Sequence, residues 1–222
     1  MSTSYVVARR ALLLGTVASV FLAGCGLSDI GEMIGPPPPL KIYLLRPQFA
    51  AADGGGLLPW QMSIAIPDAP ASIDTVRVAL NPTPSTLDYY ADAAWPDRTP
   101  VVVQSLLIEA FENAGRVAVA RDTDGVLTDY VLRTELREFQ ARYPAGGAPT
   151  PDAPAAAPEI SIRIDARIVA VPERRVLGNI SVTHTAQAQG NEMDSIIAAF
   201  NEALGAVLGK IVTWSVTVPP AS

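Results

Sequence analysis

The sequence predicts an α+β domain, a mostly antiparallel sheet with two helices packed on one of its faces. Three observations carry the prediction. Segments at 130–142, 160–168 and 176–189 alternate apolar and polar residues with the period of two of a half-buried strand. A loop and a tight turn join these segments in succession, so they form hairpins. Two further segments, 99–114 and about 193–211, repeat apolar residues every three or four positions, as amphipathic helices do.

In chain order, the first element is a leader. Arg9 and Arg10 precede an apolar run from Ala11 to Leu22, too short to span the roughly 30 Å of a bilayer core. The small residues Ala23 and Gly24 then lead to Cys25, the only cysteine. This is the layout of a signal peptide over residues 1–24. Leu22-Ala23-Gly24-Cys25 resembles the lipobox of bacterial lipoproteins. That resemblance implies a diacylglyceryl thioether on Cys25, cleavage before it, and N-acylation with palmitate at the new terminus. Several acyl chains hold where one binds only marginally, at about 0.8 kcal/mol per buried CH₂. Gly26 stands where inner-membrane lipoproteins typically carry Asp, so the resemblance implies the inner leaflet of the outer membrane, facing the periplasm.

Residues 25–40 read as a tether, since Pro36-Pro37-Pro38-Pro39 favours extended polyproline II. Residues 41–218 then form one domain, within the size range for a single sizeable core. The formal charge of −6 argues against nucleic acid and against a polybasic membrane-binding surface. A lipidated Cys25 leaves no thiol for a disulfide, a cysteine-ligated metal or a nucleophile.

Within the domain, Lys41 to Leu45 is strand-like. Trp60, Met62, Ile64 and Ile66 alternate with Gln61, Ser63 and Ala65, and Pro67 ends that strand. Val76, Val78 and Leu80 alternate in the same way until Pro82 and Pro84 intervene, and Leu87-Asp88-Tyr89-Tyr90 is a short extended piece. The first helix has Thr99 as cap, Pro100 at its first position and Gly115 as terminator. Val103, Leu106, Leu107, Ala110, Phe111 and Ala114 line its buried face. Arg116 to Arg121 is a short strand.

In the long hairpin, Tyr130, Leu132 and Leu136 oppose Ile160, Ile162, Ile164 and Ile168, and residues 143–158, rich in Pro, Ala and Gly, form a flexible loop between the strands. Charge bears on the register. If the numbers of facing residues summed to 300, Arg133 would face Arg167 and Glu135 would face Asp165, placing like charges together. Sums of 298 or 302 instead pair Arg with acid, and one of these is expected. A turn at Pro172-Glu173-Arg174-Arg175 leads to the third long strand, Val176 to Gln189. His184, the only histidine, lies on its apolar face and is read as a hydrogen-bonded, buried structural residue. The last helix carries Met193, Ile197, Phe200, Leu204 and Ile211 over about five turns, with Asn191 or Asp194 as cap and Trp214 and Val216 just beyond it. The outer face of the long strands is left polar and open to contact.

No Gly-x-Ser-x-Gly elbow is present, and Gly54-Gly55-Gly56 lacks the Lys-Ser/Thr of a phosphate loop. No catalytic, cofactor or metal set is marked, and an enzyme is not expected.

The order of these segments resembles the ABC-type transport auxiliary lipoprotein family, which includes the paraquat-inducible protein C group. The residues that carry the resemblance are the lipobox and proline tether, Tyr43-Leu44-Leu45, Leu87-Asp88-Tyr89-Tyr90 before Trp95, Tyr130-Val131-Leu132 with Glu135, Leu136 and Phe139, and the closing Ala199-Phe200, Ala203-Leu204, Ile211-Val212 and Trp214. The resemblance implies a non-enzymatic component of a mammalian-cell-entry-type system that moves phospholipid between the two membranes. The implied partners are a mammalian-cell-entry protein and the ABC permease and ATPase complex, with Cys25 as membrane anchor. A homo-oligomer is compatible with the polar sheet face. Tyr89, Tyr90 and Trp95 are the candidate contact or family-motif residues, with core packing as the competing role. The alternative is an envelope assembly or structural lipoprotein of the lipopolysaccharide-export kind.

Overall fold

The structure is a computed structural model that describes residues 39–49, 55–144, 156–171 and 173–218. The signal peptide, Cys25, nearly all of the tether, and positions 145–155 of the proline-alanine loop lie outside the described residues.

Eight strands form one sheet: β1 (Lys41–Ile42), β2 (Gln61–Ile64), β3 (Arg77–Thr83), β4 (Thr86–Ala94), β5 (Ala118–Arg121), β6 (Tyr130–Arg142), β7 (Glu159–Ala170) and β8 (Arg175–Gln187). Helix α1 (Thr99–Ala114) packs over β2 and β5, and α2 (Met193–Thr217) packs over β7 and β8. The predicted α+β class holds. The long ladders β6–β7 and β7–β8 are antiparallel, as is the β3–β4 hairpin. Shorter parallel pairings attach β1 to β4 and attach β2 and β3 to opposite ends of β6, with β5 beside β2. One edge of β6 is therefore shared between two strands, while β7 runs along the other.

The core joins both helices to the inner face of the sheet. Trp95 packs edge-on against Phe139 and Phe200, with ring centroids 6.0 and 5.3 Å away, which ties the end of β4 to β6 and α2. Ile160, Ile162, Ile164, Leu132, Leu136 and Leu204 are fully buried, each contributing about 1.5–3 kcal/mol relative to exposure. Although α2 is long and apolar enough to cross a membrane, most of it is buried against β7 and β8.

The hairpin register departs from expectation. Arg133 faces Arg167, Glu135 faces Asp165 and Leu136 faces Ile164, a sum of 300 at each pair. The charge argument therefore predicted the wrong register. A bulge between Leu136 and Glu138 inserts Arg137. Its Nη1 lies 2.7 Å from Glu135 and its Nε 2.8 Å from Asp165, so one cation bridges the facing acids. Beyond the bulge Glu138 faces Arg163 and Phe139 faces Ile162. A slip of two residues would displace each buried isoleucine by about 7 Å, and exposed charge pairs, at about 0.2–1 kcal/mol each, cannot outweigh that packing.

Other bounds also shift. β2 buries Ser63 as well as Met62 and Ile64, with Ala65 just beyond it also buried, because it lies between β5 and β6 and Thr128 Oγ1 donates to Ser63 Oγ over its other face. β3 continues through Pro82, which falls in an irregular stretch of the β3–β4 pairing where no ladder bond is needed. Leu87 to Tyr90 is part of a nine-residue strand, β4. Arg98, not Thr99, is the N-cap of α1, and the Thr99 hydroxyl donates instead to the Thr75 carbonyl at 3.1 Å. Gly115 ends α1 with φ of 61°, in the left-handed region that glycine adopts freely. Glu192 caps α2, and the helix runs through Trp214 and Val216, since the buried Ser215 hydroxyl donates back to the Ile211 carbonyl at 2.8 Å. His184 is half-buried opposite Ile162, with no side-chain hydrogen bond among the described residues, so it is not the buried, bonded residue expected.

Candidate functional site

Among the described residues no helix covers the outer face of β6, β7 and β8, which presents alternate residues of each strand to solvent. The antiparallel registers stack these residues into rows across the three strands. At the centre Glu135, Asp165 and Ser181 face one another. The Ser181 hydroxyl donates to Asp165 Oδ1 at 2.5 Å, Arg137 Nε donates to Oδ2 at 2.8 Å, and Arg163 Nε lies 3.7 Å away. The Ser181 hydrogen bond, followed by the arginines, holds the Asp165 carboxyl below the usual carboxylate range. The bond to Asp165 in turn raises the Arg137 guanidinium. Both acids of this centre are thus already paired.

The next row is Arg133, Arg167 and Asn179. Both guanidiniums are exposed, they face each other directly, and neither has an ion-pair partner among the described residues. The row after that is Val131, Val169 and Val176, with Val176 54% exposed. Over the first two rows lies a depression of about 250 Å³. Its four arginines outnumber its two acids in a chain whose formal charge is −6. Such an arrangement can bind an oxyanion, since guanidinium donors match phosphate and carboxylate oxygens.

The structure separates the residues singled out from the sequence. Tyr89 and Tyr90 point to opposite faces of β4. The Tyr89 hydroxyl donates to the Ser72 carbonyl at 3.2 Å, with the Arg77 guanidinium 4.0 Å above its ring. Tyr90 donates to the Tyr143 hydroxyl at 2.9 Å, which itself donates to Asn191 Oδ1 at 2.5 Å. Burial, then the bond to Tyr143, raises the Tyr90 phenol far above its ordinary value; burial also raises Tyr143. Trp95 is 2% exposed and belongs to the aromatic core. The three do not form one surface patch, and Cys25 lies outside the described residues.

The pairing of Arg133 with Arg167 was weighed from the sequence and rejected on the charge argument, and the observed register overturns that. The sequence does hold a signal for it. Tyr130, Leu132 and Leu136 keep a period of two with Thr134 between them, but the next residue of the apolar face is Phe139, three residues on, which marks an inserted residue. Among the described residues, no three His, Cys, Asp or Glu side chains are grouped to hold a metal ion.

The model of the ABC-type transport auxiliary lipoprotein component family matches residues 43–212. The protein bll6063 of Bradyrhizobium diazoefficiens is 27% identical over 193 residues, covering 86% of this chain and 49% of that one. The chain thus spans about half the length of the curated relative it matches. The crystal structure of protein XCC0632 from Xanthomonas campestris superposes with a TM-score of 0.70 at 27% identity, over 79% of this chain and 94% of that one. Another crystal structure, 12% identical with a TM-score of 0.60, covers 80% of this chain and 99% of its own and shares the fold alone.

Proposed function

The chain belongs to the ABC-type transport auxiliary lipoprotein component family, and from that premise we propose that it is the non-enzymatic, lipid-anchored docking component of a mammalian-cell-entry-type lipid transport system. Acylated Cys25 tethers it to the inner leaflet of the outer membrane, and the proline-rich segment spaces the domain into the periplasm. Its partners are a mammalian-cell-entry protein and the inner-membrane permease with its ATPase. The observation that carries this reading is the family match across both helices and nearly the whole sheet. A large polar sheet face with no helix over it among the described residues supports a docking role.

Crosslinking the intact lipoprotein in cell envelopes, with Cys25→Ala as control, followed by mass spectrometry, tests this reading. Recovery of a mammalian-cell-entry protein or its permease, lost with Cys25→Ala, is expected. Recovery of only outer-membrane barrel or peptidoglycan-associated proteins would overturn it in favour of an assembly or structural lipoprotein.

A further inference from the structure

We propose that the facing pair Arg133 and Arg167, with Asn179 flanking them in the same row, binds the phosphate of a phospholipid headgroup, with the first apolar segment of that lipid lying on the row of Val131, Val169 and Val176. The proposal goes beyond docking and does not depend on which protein the chain docks to. Three features of this face point to such an occupant. The two guanidiniums face one another in register, while the neighbouring acids are taken by Arg137, Arg163 and Ser181. They therefore present donors to solvent with no acceptor of the protein's own among the described residues. The depression above them holds about 250 Å³, the scale of a headgroup rather than of a folded element of a partner. Two residues further along β6 and β7, and three along β8, where a bulge between the pairs Ile168–Gly178 and Val169–Val176 inserts Leu177, the charged row gives way about 7 Å away to three valines, of which Val176 is 54% exposed. Exposed apolar side chains continue past the sheet at that end, with Val171 and, in the loop before β6, Val126 and Leu127. An anion bound by charge alone has no use for an apolar row beside it. An amphiphile uses both.

The rest of the local charge is mixed. Glu173, Arg174 and Arg175 lie in and after the β7–β8 turn, and the Asp129 side chain accepts from the Gln61 backbone. The anion is therefore placed by the arginine pair and not by a general basic surface.

The test is photocrosslinking in envelopes from cells producing the full chain, fed with ³²P-phosphate. The probe is Asn179→p-benzoylphenylalanine, with Glu112→p-benzoylphenylalanine on α1 as control. The expected result is a phosphate-labelled adduct that carries acyl chains at the first position and not at the second. It should fall at least fivefold with Arg133→Gln and Arg167→Gln together, and should also fall with Val176→Ser. Both arginines are exposed and repel each other, so the double variant should melt no lower than the parent, which separates loss of binding from loss of fold. An adduct of equal yield in the double variant, an adduct with inorganic or glycerol phosphate lacking acyl chains, a protein adduct alone, or no adduct at position 179 would each overturn the proposal.

Discussion

Replacing Gly205 by alanine should weaken the domain, whereas the same change at Gly209, one turn further along α2, should strengthen it. Both glycines lie inside the helix, where glycine costs about 1 kcal/mol relative to alanine. At Gly209 an added Cβ would meet no heavy atom within 4 Å, so the full gain of about 1 kcal/mol should appear. At Gly205 the Cβ would stand 2.8 Å from the Gln48 carbonyl oxygen and 3.5 Å from the Pro47 Cβ. The segment 46–49 cannot simply lift away. Leu45 is buried beside it, Phe49 packs on the core, and the Arg46 amide donates to Asn201 Oδ1 at 2.6 Å. Overpacking of this kind costs about 1–3 kcal/mol, so after the helix gain Gly205→Ala should lose up to about 2 kcal/mol. The two variants should then differ by about 1–3 kcal/mol, or several degrees in melting temperature for a domain of this size. Urea unfolding followed by tryptophan fluorescence measures both. If Gly205→Ala gains as much as Gly209→Ala, residues 46–49 do not sit on α2 and the close-approach reasoning fails.

Two further predictions concern the sheet. Thr134 is 3% exposed and its hydroxyl has no hydrogen-bond partner among the described residues, so Thr134→Val should stabilise the domain by about 1 kcal/mol; a loss on chemical denaturation would show that the hydroxyl is satisfied after all. Arg137→Ala should weaken the domain at neutral pH by leaving Glu135 opposite Asp165 without their bridging cation. Because the folded-state Asp165 carboxyl is held below its ordinary value, its contribution is present above the ordinary carboxylate range and is lost as pH falls through the lower folded value. The gap between parent and variant in thermal melts should therefore close below about pH 4, and a gap independent of pH would show that the bridge is not its source.

The elements with the longest uninterrupted periodicity were the most legible. β6 has the predicted bounds, and the inward set of β7 and the buried stripe of α1 are those expected. The short strands were harder because their partners are distant in sequence. Nothing near Met62 tells it that it will pair in parallel with both Val119 and Tyr130, and that double pairing is what buries Ser63. Pro82 was read as a terminator because a ladder normally needs the N–H that proline lacks, but the irregular β3–β4 pairing asks nothing of it. The end of α2 was misplaced because Thr213 and Ser215 look like the edge of an apolar stripe, although the Ser215 hydroxyl is consumed by its own helix. At the candidate site the residue types were legible and their grouping was not. Arg133 and Arg167 were both assigned to the polar face, yet which charge met which turned on a single inserted residue.

That inserted residue shows how two scales of energy divide the work of this sheet. Each inward isoleucine contributes about 1.5–3 kcal/mol, and each outward charge pair a fraction of a kcal/mol, so packing chooses the register and the charges adjust to it. Arg137 adjusts one like-charged pair by leaving the alternation and bridging Glu135 and Asp165. No corresponding acid reaches Arg133 and Arg167 among the described residues. The solvent exposure that makes the arginine pair cheap enough to keep also leaves its donors open to an anion from outside the chain. A pair buried deeply enough to demand neutralisation would have required an acid within the fold and would have had no donors left to offer.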